Sequence, residues 1–197
     1  MVVRMTKSLS AARNDTGRIA YCGPMVISAI TGYPVSRIET LIHEYRGDPK
    51  AAEEMIVGTH SHEVAAALAI FGLGMEQLED YLHLEKKERP TVWQWMQKPR
   101  SAWSYFVLGI TTGKEGHWIT IKGAQICDTY TKGKWLYASV GPHRGCRIMM
   151  VYQVRRVSEF PFLGLGGPAV SAEPVKTKPA ACAPFTLEPR PLSAIGY

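Results

Sequence analysis

The feature that most constrains this chain is a change of hydrophobic period near its middle. Residues 22–31 (CGPMVISAIT) are small and apolar and stop at Gly32, which predicts a first helix. A second is expected from Ser36, where Ser36-Arg37-Ile38-Glu39 has the form of a capping box, to Arg46-Gly47, with Ile38, Leu41, Ile42 and Tyr45 on one face. A third runs from about Ser61 to Phe71 and is closed by Gly72; a short amphipathic one covers 91–97 (TVWQWMQ) after Pro90. From Trp103 onward the pattern turns β-branched and aromatic. Trp103 to Ile110, His117 to Lys122, Ala124 to Cys127, Lys134 to Val140 and Cys146 to Val157 read as strands, with Gly113, Gly116 and Gly123 as turn markers. Helices first and an antiparallel meander after them predict an α+β fold, the first helix packed on the sheet.

Composition divides the chain once. Residues 161–197 hold seven of the 13 prolines and have no sustained period, so an extended tail or docking arm is expected there, after a domain spanning 1–160. Phe162, Leu165, Phe185, Leu187 and Ile195 are spaced along that arm as anchors for a protein partner. At 46% hydrophobic and 20% charged residues, the 197-residue chain has the balance of a globular protein with a core. No apolar run reaches the length of a membrane span, and the first fifteen residues interrupt their apolar positions too often for a secretory segment. The net charge of +6 is spread along the chain, which gives a mild attraction to anionic partners without indicating nucleic acid.

The four cysteines, Cys22, Cys127, Cys146 and Cys182, form no C-x-x-C pair and no zinc-finger spacing with histidine, so no metal and no cofactor are expected. They read as reduced thiols of a cytoplasmic protein. His60 and His62 stand two apart, a spacing that does not share a helix face, and Gly164-Leu165-Gly166-Gly167 lacks the strand-and-helix context of a phosphate loop.

Cys22 carries the chemistry. It starts a helix, where the macrodipole and free N–H groups favour a thiolate, with Gly23 permitting close approach and Pro24 tolerated in the first turn. A nucleophilic thiol needs a base, and the base needs an orienting acceptor. His117 opens a strand after the turn TTGKEG, and Asp128 ends the next strand after the turn at Gly123. A hairpin that short brings the start of one strand beside the end of the other, so Cys22, His117 and Asp128 are the expected triad.

The stretch YCGPMVISAITG resembles the nucleophile helix of papain-like cysteine peptidases of the bacteriocin-processing type, the peptidase domain of some ABC exporters. The later series TVWQWMQ…WSYFVLGI…GHWITIKGAQICD resembles the same family's helix, strand, histidine-bearing strand, glycine turn and aspartate. The likeness covers roughly residues 14–135 and shares the papain-like order of Cys, His and Asp. It implies a papain-like fold, with Cys22 as nucleophile, His117 as base and acid, Asp128 as orienting group, and a peptide or protein substrate cut after small residues. The family's oxyanion-hole glutamine, six residues before the cysteine, is replaced by Thr16, which leaves Thr16 and Asn14 as the expected oxyanion donors. Two functions follow: a thiol hydrolase, peptidase or amidase, or a papain-like fold retired from catalysis that serves as a structural or assembly protein, such as a bacteriophage virion component.

Overall fold

The computed structural model describes residues 9–18, 22–48, 54–56, 58–113 and 115–157. The expected arm, 161–197, lies outside the described residues. The described chain is α+β. Its helices are α1 (Cys22–Thr31), α2 (Val35–Arg46), α3 (Ser61–Ile70) and α4 (Val92–Met96). Its strands are β1 (Leu73–Asp80), β2 (Tyr105–Thr112), β3 (Glu115–Lys122), β4 (Gln125–Cys127), β5 (Leu136–Tyr137) and β6 (Arg147–Arg156).

The sheet is antiparallel throughout, in the order β1-β6-β2-β3-β4-β5. It is therefore not the simple meander expected. Strands β2 to β5 follow one another, but β6 returns across the sheet and inserts between β1 and β2. Strand β1 (LGMEQLED) was not anticipated, because its acidic residues carry little strand propensity. It forms at the sheet edge by pairing with β6, from Leu73 opposite Arg156 to Asp80 opposite Met150. Strand β5 is confined to Leu136–Tyr137 rather than spanning 134–140.

The second helix also departs from expectation at its start. It begins at Val35 after Pro34, with no side-chain cap. Ser36 is instead bound by Asp15 from a distant loop: the carboxylate accepts the Ser36 N–H at 3.0 Å and its hydroxyl at 2.6 Å. Its buried face takes in Ile38, Leu41, Ile42 and also His43, whereas Tyr45 is exposed. Gly47 ends the helix at φ 75°, a left-handed position that glycine occupies without strain.

Both faces of the sheet are covered. Val26 and Ile27 of α1, Ile38 and Ile42 of α2, and Val64 and Leu68 of α3 pack with Val107, Trp118, Tyr152 and Val154. On the other face Val92 and Trp95 of α4 pack with Phe106, Leu108, Ile110, Ile119, Ile121 and Ile148. Alternate residues of β2 and β3 thus enter different clusters, which is why these strands read as nearly continuous apolar runs. Ile119→Ala, at a fully buried position of β3, should lower stability by about 2–5 kcal/mol. A urea-unfolding midpoint unchanged from wild type would refute that placement.

Candidate active site

Three chain segments converge beside the start of α1. Strand β3 supplies His117, which pairs across the ladder with Ile110 of β2. Thr120 pairs with Cys127, so continuing the register places Asp128 near Ile119, one diagonal step from His117 on the same face. The contact follows: His117 Nε2 lies 2.6 Å from Asp128 Oδ2, and both side chains are buried. Cys22, half-buried at the first position of α1, interacts with the same imidazole and favours its charged form. With Nε2 given to Asp128, Nδ1 is the nitrogen left for Cys22.

Asp128 sits in a turn that its own atoms close. Thr131 N–H donates to Asp128 Oδ1 at 2.9 Å, the Thr131 hydroxyl donates to the Asp128 carbonyl at 3.0 Å, and Gly133 N–H donates to that carbonyl at 2.9 Å. Gly133 then packs against α1: a Cβ there would lie 3.0 Å from Met25 Sδ and from Ala12 Cβ. The turn that carries the carboxylate thereby seats the helix that carries the thiol.

A second set of contacts braces α1 from the 58–60 loop. Arg46 donates to Glu63 Oε1 at 2.6 Å and to the Gly58 carbonyl at 2.8 Å, and Glu63 Oε2 accepts the His60 N–H at 2.6 Å. Trp118 Nε1–H, next in the chain to His117, donates to the Thr59 carbonyl at 2.8 Å. Thr59 lies so close to α1 that a Cβ on Gly23 would come within 2.3 Å of its hydroxyl oxygen. The glycine after Cys22 is thus dictated by this approach.

Electrostatics favour an ion pair. Burial works against a charged His117, but its hydrogen bonds to Asp128 and Cys22 outweigh that and raise its pKa to about 9. Burial likewise opposes ionisation of Asp128, yet the hydrogen bonds from His117 and His143 hold its carboxyl well below the usual range. At neutral pH the pair is imidazolium and carboxylate. Burial pushes the Cys127 thiol up to about 12 and raises that of Cys146, so these two remain protonated and unreactive. The three described cysteines are free.

The sequence reading missed His143. It lies in the loop between β5 and β6, in GPHRGC, with no periodicity or spacing to connect it to the triad. Its Nε2 is 2.6 Å from Asp128 Oδ2, the same oxygen that binds His117. The expected oxyanion donors, Asn14 and Thr16, lie in an exposed loop that their own contacts hold. Asn14 donates its amide to the Arg18 carbonyl at 2.6 Å and accepts the Thr16 hydroxyl at 2.9 Å, so the two bind each other and their own exposed loop.

Among the described residues, His117, Asp128 and His143 are the set whose donor atoms, all within 4.8 Å, have the chemistry of metal ligands. Their spacing is that of shared protons. Each imidazole nitrogen is 2.6 Å from the carboxylate oxygen, whereas ligands of a tetrahedral zinc stand about 3.3 Å apart. His60 and His62 stack on each other with ring centroids 5.5 Å apart.

Comparisons with protein-family models, with curated proteins and with solved structures give no match. The functional reading therefore stands on the geometry above.

The charged pair sets a pH window. His117, raised above its ordinary 6.5, contributes stability that is complete below pH 6.5 and lost as pH rises through about 9. Asp128, depressed below its ordinary 3.8, contributes stability present above pH 3.8 and lost on acidification. The stability difference between wild type and Asp128→Asn should then be largest between these limits, pH 3.8 to 6.5, and shrink toward pH 10, as read from urea unfolding at each pH. A difference that grows with pH above 7 would contradict the ion pair. Gly23→Ala should displace the 58–60 loop, cost about 1–3 kcal/mol and slow alkylation of Cys22. Wild-type stability and labelling in that variant would show that Thr59 does not brace the helix start.

Proposed function

We propose that the protein is a papain-like thiol hydrolase acting on peptide or related amide bonds. One observation carries this reading: His117 and Asp128 form a buried hydrogen-bonded pair whose imidazole also interacts with Cys22, with the thiol at a helix start and the carboxylate on Nε2. The helical and strand segments in papain-like order support the fold assignment.

The mechanism follows from the proton positions. An imidazolium has only N–H donors, so His117 Nδ1–H points at Cys22 Sγ and the sulfur accepts. The thiolate attacks the carbonyl carbon, and the negative charge that builds on the carbonyl oxygen is met by the Cys22 backbone N–H at the start of α1. His117 Nδ1–H then passes its proton to the leaving amine, and the C–N bond breaks to leave a thioester. A water molecule next gives a proton to the now neutral Nδ1 and attacks the thioester, releasing the acid and restoring the thiolate–imidazolium pair. Asp128 stays ionised throughout, holding the ring and stabilising its charge.

A second reading is favoured by the oxyanion side. Asn14 and Thr16 are committed to their own loop, and loss of one oxyanion donor costs about 100- to 1,000-fold in rate. A fold retired from hydrolysis, with the 161–197 arm docking on a protein partner in an assembly such as a virion, would tolerate that loss.

Alkylation separates the two. Iodoacetamide at pH 7 should label Cys22 at least tenfold faster than Cys127 or Cys146, and His117→Ala should abolish the advantage. Asp128→Ala should slow both the labelling and any cleavage of a peptide library, the latter by about 100- to 10,000-fold. Equal, slow labelling of all thiols would favour the retired fold, and an Asp128→Ala variant with undiminished turnover would leave only a Cys-His dyad.

A further inference from the structure

Asp128 binds a second imidazole that the proposed mechanism does not use. His143 is 2% exposed, and its Nε2 and that of His117 each lie 2.6 Å from one carboxylate oxygen. The two rings stand 5.2 Å apart, centroid to centroid, and the Tyr130 ring meets both edge-on, at 5.0 Å and 5.1 Å. The far side of His143 is also occupied: its Nδ1 is 3.9 Å from Cys146 Sγ. The loop is held in place, since Cys146 N–H donates to the His143 carbonyl at 2.9 Å and a Cβ on Gly141 would come within 2.5 Å of Ile126.

These contacts fix a proton on one nitrogen of each ring. A carboxylate oxygen only accepts, so both Nε2 atoms carry hydrogen. His143 Nδ1, 3.9 Å from Cys146 Sγ, accepts from that thiol when the ring is neutral and donates to it when the ring is charged. The chain runs from Cys146 through His143, Asp128 and His117 to Cys22, with every member partnered. Such a network is rigid when complete and costly when one member is missing.

We propose that His143 is a positioning residue for the triad: with His117 it clamps Asp128 Oδ2 from two sides, fixing the carboxylate and dividing its charge between two rings. The proposal deepens the thiol-hydrolase reading and rests on it for its purpose, but its physical content is independent of turnover. Thr131 N–H holds Oδ1 and His117 holds Oδ2 from one side. The His143 hydrogen bond holds Oδ2 from the other side and draws charge away from His117. The ionisable groups facing the two rings are Cys22 from α1, Asp128 after β4, Tyr130 in the following turn, and Cys146 before β6; Cys127 acts on Asp128 and Lys86 on Cys146.

The test uses nuclear magnetic resonance of histidine-labelled full-length protein, with no substrate. In wild type, the ring nitrogen shifts should show Nε2 of His143 protonated. His143→Leu removes the donor and leaves the whole carboxylate charge to His117, which should then titrate about one pH unit higher. His143→Gln keeps an amide donor in reach and should return His117 close to its wild-type titration. The alkaline limb of the Cys22 alkylation profile should move with His117 in all three proteins. A residue that merely fills space would act the other way: its loss would loosen Asp128 and let His117 fall toward 6.5 in both variants. That fall would overturn the proposal, as would an unchanged His117 in His143→Leu. A His143 without a proton on Nε2 would overturn it in wild type alone, even if neither variant folds. Stoichiometric zinc binding by the wild type that His143→Gln abolishes would overturn it too, making His143 a metal ligand. Failure to hydrolyse any amide would leave these readouts intact and count only against the hydrolase reading.

Discussion

A fully buried carboxylate governs the architecture around the candidate site. Asp128 has no exposed surface, and an ionised carboxylate in such a place is tolerated only when its oxygens are met by donors. Two imidazoles and a backbone N–H meet them. Each donor comes from a different segment, so the charge can be satisfied only when β3, the turn after β4 and the loop before β6 are all in place. The carboxylate thereby links local order to tertiary order.

The helix that carries Cys22 is registered against this centre by close packing rather than by charge. Gly133 of the Asp128 turn leaves room for Met25, and Gly23 leaves room for Thr59. Side chains at these two glycines would crowd α1 from two parts of the chain, one near residue 130 and one near residue 60. The Trp118 indole, bonded to the Thr59 carbonyl, joins the second brace to the strand that presents His117. Position of the nucleophile relative to its base is thus set twice, by groups adjacent in sequence to the base and to its carboxylate.

Much of this was legible in the residues. The helix beginning at Cys22, its stop at Gly32, the β3–β4 hairpin around Gly123 and the meeting of His117 with Asp128 follow from local periodicity and turn chemistry, because all of their determinants lie within a few residues. Two departures come from partners distant in sequence, and a third from a local loop. Strand β1 forms against a partner more than seventy residues away, which overrides its acidic composition. Ser36 reads as a cap in its own neighbourhood, but Asp15, 21 residues earlier, binds it instead. Asn14 and Thr16, placed by analogy of spacing, close their own loop with Arg18.

By itself the sequence determined where helices give way to strands, which cysteine stands at a helix start, and which histidine and aspartate share a hairpin. These depend on interactions between near neighbours, which the order of residues records directly. Only the tertiary structure decided that β6 crosses between β1 and β2, and that His143 joins His117 on Asp128 Oδ2. It also decided that Gly23 and Gly133 must lack side chains. Those outcomes come from burying both faces of one sheet and satisfying one buried charge, and both requirements act between residues that only the folded chain brings together.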